Sequence, residues 1–377
     1  MSAESTPEPA ITEPGTRGRR RAKGRRRKAA SGRRKALLVT AWTAAGVFVV
    51  GGTGLGYVYF KLNGNLKSVD INQALGNDRP AKADNGSENI LVLGSDTRSG
   101  SNRKLGGGTD DGSARSDTAM IVHIYKGHKK AAVVSMPRDT LIDRPQCTDT
   151  QGRTHPAAKA VMFNEAYSTG GAACTVKTVE SLTGLRMDHY LEVDFAGFQK
   201  LIDELGGVKV HTTKNIDDPQ SHLDLKAGTH QLTGKQALGL VRTRHGVGDG
   251  SDLGRIQLQQ AFVKALVNQV KEIGVFTNPK KLFDLANTAT KTVTADSELG
   301  SVNSLSDFAN GLKGISSSQM HMVTMPVQYD PTNPNRVLIQ RTKAQQVWTA
   351  LKNDKPIPAS ATKDAAKGEA NGVVTSS

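Results

Sequence analysis

The chain has 377 residues, room for one large domain or two smaller ones, and a formal net charge of +15 that is unevenly spread. Twelve Lys or Arg between Arg17 and Lys35 stand against three acids in the first 35 residues (Glu4, Glu8, Glu13), so a net +9 belongs to an N-terminal tail and +6 to the rest. With 37% hydrophobic and 23% charged residues the composition is globular on average, so the basic balance describes the tail and not the fold.

Residues 1–35, rich in Pro, Gly and Arg, read as a disordered cytoplasmic tail. Residues 36–60 follow without a charged residue before Lys61 and are long enough to cross a hydrocarbon core of roughly 30 Å, so they read as one transmembrane helix. A cleaved signal peptide is the alternative. Its apolar region would run only about 7–15 residues, whereas this one is longer and ends in Tyr57, Tyr59 and Phe60, an interfacial belt. The Lys/Arg excess before the span keeps the tail in the cytoplasm and places everything after Lys61 outside it. Residues 61–86, with Asn63-Gly, Gly76-Asn-Asp and Asn85-Gly, read as a stalk. Residues 87–353 read as the extracytoplasmic domain, and 354–377, rich in Ala, Lys, Ser and Gly, as a disordered tail.

Within the domain, Asn89-ILVLG, Thr118-AMIVHIY and Ala131-AVVSMP are compact β-branched runs with the character of buried strands. Cys174-TVKTVESLTG has helical spacing. Tyr190-LEVD reads as a strand, Phe195-AGFQKLIDELGG as a helix ending on glycine, and Val208-KVH as another strand. Thr233 and Gln236 stand at capping-box spacing before a further helix, and Arg255-IQLQQAFVKALVNQV is the most strongly helical stretch. His321-MVTMPV and Thr342-KAQQVWTALK close the domain as strand and helix. This alternation predicts an α/β fold, a layered α-β-α domain with a central mixed β-sheet, preceded by the one transmembrane helix. Cys147 and Cys174, the only cysteines, fall in the oxidising compartment and are expected to pair; free buried thiols are the alternative.

Arginines and aspartates gather just past strand ends and at two helix boundaries: Asp96 and Arg98, Arg115 and Asp117, Arg138 and Asp139, Arg242 and Arg244, then Asp252, Arg255 and Gln259. Ligands of α/β sheets sit at strand carboxyl ends, so the first clusters share a rim if their strands are parallel neighbours. Arg255 and Gln259, at i,i+4, project from one helical face, with Asp252 at its N-terminal edge. Arg242 and Arg244 point the same way in extended chain and diverge in a continued helix. Several guanidinium forks in one place suit a diphosphate. Carboxylates among them make sense as ligands of a divalent cation shared with phosphate, and Asp96 and Asp117 are the candidates. Taken singly, each residue is as well explained by a surface ion pair or a turn. The histidines show neither HxxxH nor HExxH spacing and no GxSxG occurs, which argues against a histidine-held metal and a serine hydrolase of that class. Gly106 to Gly112 reads as a flexible loop.

After the tail and span, NILVLGSDTR, RSDTAMIVHI, AAVVSMPRD, FNEAYSTGG, VDFAGFQKLIDELGGVKV, GTHQLTGKQALGLVRTR and DLGRIQLQQ follow in this order. Together they closely resemble the LytR-CpsA-Psr family, strongly over residues 86–273 and weakly to about 353. The resemblance implies a phosphotransferase that moves a glycopolymer from a polyprenyl-pyrophosphate carrier onto peptidoglycan with Mg²⁺ (or Mn²⁺), its lipid chain held in a hydrophobic pocket. By the same resemblance, Asp96 and Asp117 match metal-linked aspartates. Arg138, Arg242, Arg244 and Arg255 match pyrophosphate-binding arginines, joined by Arg115, Arg98 and Gln259. Arg138, Asp252 and Arg255 are the residues expected to act in catalysis. One departure is Leu258, where the family often carries arginine. Two other readings use the same residues: an envelope module that binds lipid-linked glycopolymer without catalysis, and a pyrophosphatase of polyprenyl diphosphates. An arginine-rich tail also binds nucleic acid non-specifically, but here it adjoins a membrane span and lacks aromatic interleaving, so anionic membrane lipid is the expected partner and nucleic acid is not.

Overall fold

The computed structural model describes residues 56–96 and 116–376. The basic tail, the expected membrane helix up to Leu55, and the segment carrying Arg98, the glycine-rich loop and Arg115 lie outside the described residues. Among those described, no helix is long and apolar enough to cross a membrane. Tyr57 and Phe60 are exposed, at 64% and 76%.

Among the described residues seven strands make the central sheet: β1 (Lys67–Val69), β2 (Glu88–Ser95), β3 (Ser116–Ile124), β4 (Ala131–Met136), β5 (His189–Asp194), β6 (Val293–Asp296) and β7 (Met320–Thr324). Their spatial order is β1-β6-β5-β2-β3-β4-β7. β2 pairs parallel with β5, and β4 with β7; β3 runs antiparallel between β2 and β4. The sheet is therefore mixed, as the alternation predicts. β2 and β4 are not neighbours, yet the intervening antiparallel strand leaves them pointing the same way.

Besides shorter or N-terminal helical segments, the helices that build the domain are α1 (Glu165–Thr183), α2 (Phe195–Glu204), α3 (Gly234–Arg242), α4 (Asp252–Glu272), α5 (Pro279–Thr292), α6 (Val302–Leu312) and α7 (Arg341–Lys352). Period-two alternation along β2 divides its side chains between the two faces. Leu91 and Leu93 join a core with Val176 and Val179 of α1 and Trp348 of α7. Ile90 and Val92 pack instead in a cluster with Phe308 and Leu312 of α6. Helices thus cover both faces. Thr233 and Gln236 form the expected capping box at the start of α3.

Two segments differ from the sequence reading. The stretch expected as a stalk is built into the domain: β1 is a sheet edge, and Ile71 and Leu75 are buried in the main core. Arg79 adds a forked pair to Glu180 of α1, with Nε and an Nη donating at 2.9 and 2.6 Å. Its Asn-Gly turns masked short elements too brief to show periodicity. The C-terminal segment expected as a disordered tail is also packed. Val374–Ser376 pairs with Val208–Thr212, which leaves the central sheet for a separate three-stranded one with Gly228–Leu232. Ala370, Val373 and Val374 join a second core with Ile202, Leu240 and Phe262. Upstream, Gly368 lies so close to Gly254 in the first turn of α4 that a Cβ would sit 2.0 Å from the Gly254 nitrogen, and the Ala370 N–H donates to Gln257 Oε1 at 2.8 Å. The closing segment is therefore a strap across the helix start that carries Asp252 and Arg255.

α1 begins earlier than its apolar spacing announces and is broken at Gly170 and Gly171, the latter in the left-handed region at φ 61°. Just past this break Cys174 forms the expected disulfide with Cys147 across 27 residues. Replacing both cysteines with serine is expected to cost about 3–4 kcal/mol on a loop-entropy estimate. In a domain of this size that lowers the Tm by roughly 5–10 °C, readable by differential scanning calorimetry. An unchanged Tm would contradict the assignment of the bridge as a structural staple.

Candidate functional site

Strand polarity assembles the site. β2 ends at Ser95 and delivers Asp96; Ser95 is in register with Ser116, so Asp117 enters at the same rim from the start of β3. β4 leaves the sheet at Met136, and a turn closed by Thr140 N–H and Oγ1 donating to the Pro137 carbonyl presents Arg138 and Asp139. Asp117 lies within a strand and is not a turn residue.

The other arginines arrive from helix ends. Arg242 is the last residue of α3, and Thr243 turns extended (φ −57°, ψ 135°), so Arg244 follows in extended chain. The Arg244 N–H donates to Asp218 Oδ2 at 2.9 Å, fixing this exit. Arg242 and Arg244 line one small cavity of about 170 Å³ together with Asp117 and Arg255. Ser251 caps α4, placing Asp252 and Arg255 in its opening turn.

Asp252 Oδ1 gathers three guanidiniums: Arg255, Arg244 at 3.1 Å and Arg138 at 3.6 Å. Arg138 also donates to the Asp117 carboxylate and lies 3.7 Å from Asp139. An Nη of Arg255 donates to the Asp117 carbonyl at 3.0 Å. Arg242 stacks its guanidinium on Phe195, 4.8 Å from the ring centroid. The side chains of Arg138 and Arg244 are 22% and 26% exposed, and Arg255, though only 6% exposed, lines the small cavity, so all three can meet a ligand. Among the described residues Arg138 Nε and Arg255 Nε are buried donors without a hydrogen-bond acceptor, as Asp252 Oδ2 is an acceptor without a donor. Each such group costs about 1–3 kcal/mol, and an anion among the guanidiniums would relieve the two donors.

Burial alone would raise the Asp117 carboxyl, but Arg138, then Arg255 and Arg244, outweigh it and hold it below the usual carboxylate range. Asp139 goes the other way: burial, then the neighbouring Asp252, push it up against the opposing arginines. Burial lowers both Arg242 and Arg244 from the usual arginine value, reinforced at each by a neighbouring guanidinium.

Gln259 shares the Arg255 face as its spacing predicts, but its Nε2 turns inward, donating to Thr118 Oγ1 at 3.0 Å and the Val241 carbonyl at 2.9 Å. It ties α4 to β3 and to the end of α3, beside Asp117 and Arg242. Leu258, the departure from the family pattern, is 1% exposed in the second core, so its side chain belongs to packing and not to this site. Asp218, passed over in the sequence, anchors the Arg244 exit through backbone donors; burial opposes these, yet its carboxyl is held low. Its only signal is an Asp-Asp-Pro turn. Asp96 is buried, and Asp96 and Asp117 both act electrostatically on Arg242. No group of three or more His, Cys, Asp or Glu that would hold a metal occurs among the described residues.

The model of the LytR_cpsA_psr family matches residues 58–353. The chain is 31% identical over 300 residues to the cell wall biosynthesis protein LcpA of Corynebacterium glutamicum, covering 73% of this chain and 57% of that relative. It therefore spans little more than half the length of that protein. It is 29% identical over 343 residues to the polyisoprenyl-teichoic acid–peptidoglycan teichoic acid transferase TagT of Bacillus subtilis, covering 88% and 98%. Among solved structures, a LytR-Csp2A-Psr enzyme from Actinomyces oris superposes with a TM-score of 0.57 at 22% identity, over 76% of this chain and 96% of the other, and shares the fold. The chain belongs to the LytR-CpsA-Psr family.

Proposed function

We propose that this protein is a cell-envelope phosphotransferase that moves a glycopolymer from a polyprenyl-pyrophosphate carrier onto peptidoglycan. The observation that carries this reading is the convergence of Arg138, Arg242, Arg244 and Arg255 on one rim, with two buried guanidinium donors that find no acceptor among the described residues. A diphosphate answers both the charge and the open donors. The names of the relatives LcpA and TagT agree with cell-wall work and with transfer to peptidoglycan.

In this reading the arginines bind the diphosphate and spread the charge that grows on the departing lipid phosphate. Arg255 and Arg138 act on it directly, Asp252 fixes their guanidiniums, and Gln259 holds the helix in place. Arg98 and Arg115 join them by resemblance. Asp96 and Asp117 suit a magnesium ion, which takes hard oxygen ligands and beside a phosphate needs only one or two protein carboxylates. When bound, such a cation neutralises phosphate charge and polarises its oxygens. The anchor expected from the sequence at 36–60 would tether the protein to the membrane that carries the lipid-linked donor.

Full-length protein in lipid vesicles, given a synthetic polyprenyl-pyrophosphate glycan and peptidoglycan, is expected to release polyprenyl phosphate. Chelating divalent cations should slow release by about tenfold or more, with recovery on adding Mg²⁺ or Mn²⁺. Turnover indifferent to chelation would remove Asp96 and Asp117 from any metal role, and donor binding without release would remove the transferase reading.

A further inference from the structure

Beside the arginines lies a second cavity of about 680 Å³, and Arg138, Asp139, Arg244 and Asp252 all line it. Arg244 lines the small cavity as well, so the two adjoin at that side chain. The volume falls within the range of small-molecule pockets, about 300–1,000 Å³. The buried Arg138 Nε and Asp252 Oδ2, both without hydrogen-bond partners, belong to residues of this lining.

The rest of the lining has the chemistry of a sugar site. Tyr329 is 40% exposed, yet its hydroxyl is held, donating to Asp249 Oδ2 at 3.1 Å. Asp249 is itself fixed, accepting from the Ser251 hydroxyl at 2.6 Å and the Ser251 N–H at 3.0 Å. An exposed ring with an anchored tip is a platform for the C–H face of a pyranose. Ser251, Asn335 and Arg336 supply polar partners for hydroxyl edges. Asn335 and Arg336 lie on the strand Asn333–Ile339, tied to the site where the Val337 N–H donates to the Asp139 carbonyl at 3.3 Å. So many charged groups make the cavity a poor seat for an isoprenoid tail.

We propose that this cavity seats the acceptor sugar, with Tyr329 as its platform and Asp139 as the carboxylate that takes the proton from the attacking hydroxyl; the proposal rests on the transferase reading above. The hydroxyl oxygen bonds to the sugar-proximal phosphorus, and the bond from that phosphorus to the bridging oxygen breaks. The lipid leaves as polyprenyl monophosphate, the glycan becomes a phosphodiester of the acceptor, and the proton passes to Asp139 and then to water. A carboxylate can accept from the hydroxyls of either sugar, but only the acceptor's attacking hydroxyl must also give up a proton, which favours the acceptor beside Asp139. Burial and then Asp252 raise the Asp139 carboxyl, making it a stronger base than an ordinary aspartate. The charged groups around it are Arg138, Arg244, Arg255 and Asp252, with Asp249 and Arg336 elsewhere on the lining. Because the working form is ionised, kcat should fall as pH drops through that raised value.

The test is transfer kinetics with full-length protein in vesicles, a synthetic lipid-diphospho-glycan donor and soluble peptidoglycan glycan chains as acceptor. Tyr329→Ala should raise the acceptor KM about tenfold with the donor KM held, while Tyr329→Phe stays within about threefold of wild type. Asp139→Asn should lower kcat about a hundredfold or more and abolish the acid limb of the pH profile, with a normal thermal melt. An unchanged acceptor KM in Tyr329→Ala overturns the subsite, and a raised donor KM there assigns the cavity to the donor sugar instead. A retained acid limb in Asp139→Asn overturns the role of Asp139. These failures are distinct from a wild-type protein that never releases polyprenyl phosphate, which overturns the transferase reading itself.

Discussion

Arg255→Ala is expected to lower transfer about a thousandfold or more while leaving the domain folded. The magnitude follows from what a buried cation does at a departing phosphate: a single preorganised donor is worth about 10²–10³, and a guanidinium on phosphoryl charge about 10³–10⁵. Arg255 meets the conditions for the upper part of that range. It is 6% exposed, its Nη is fixed by the Asp117 carbonyl at 3.0 Å, and its Nε is an open donor. The structural cost is smaller. Asp252 keeps Arg244 and Arg138 as counterions, so about 1–3 kcal/mol is lost, which a domain of this size tolerates. Arg138→Ala should behave alike. Arg255→Lys should recover only part of the activity, because an ammonium cannot reproduce a planar fork. The readout is release of polyprenyl phosphate beside a melting curve, and near-normal release in both alanine variants would contradict the assignment.

The second large effect is expected at Asp252, for a different reason. Its Oδ1 is the shared counterion of Arg255, Arg244 and Arg138, so Asp252→Ala removes the carboxylate that holds the three together, and Arg138 alone keeps ion pairs to Asp117 and Asp139. The guanidiniums should spread apart, and kcat should fall about a hundredfold, as misplacement by about an ångström does. Donor affinity should not fall in step, because the pocket becomes more positive and still attracts a diphosphate. Asp252→Asn keeps the shape without the charge and should resemble the alanine variant. A rise in donor KM with kcat intact would identify Asp252 as a substrate-binding group and not as an organiser of arginines.

Much of this arrangement was legible in the sequence because it rests on local pattern. The apolar runs at Asn89, Thr118 and Ala131 are long enough to declare buried strands, and Arg98, Arg115 and Arg138 stand within a few residues of their ends. The i,i+4 spacing of Arg255 and Gln259 set their common face, though spacing is silent on whether Gln259 turns toward ligand or toward Thr118. What stayed hidden depends on distant partners. Asp218 matters through the backbone of Arg244, 26 residues away, and no periodicity encodes that. The strand Val374–Ser376 is only three residues long and gains its meaning from Val208–Thr212. Arg79 looks like a turn residue until Glu180 is found opposite it, 101 positions later. Leu258 looked like a lost cation, but its position faces the second core, where a charge would be costly.

The central claim is transfer, as opposed to binding or hydrolysis, and product identity separates the three. Full-length protein in vesicles should be incubated with lipid-diphospho-glycan and peptidoglycan, and the products followed by ³¹P NMR and mass spectrometry. The account predicts polyprenyl monophosphate together with a new phosphodiester joining the glycan to peptidoglycan. Intact diphosphate in the presence of stoichiometric binding would contradict it, as would a glycan phosphate monoester formed with water and never attached to peptidoglycan.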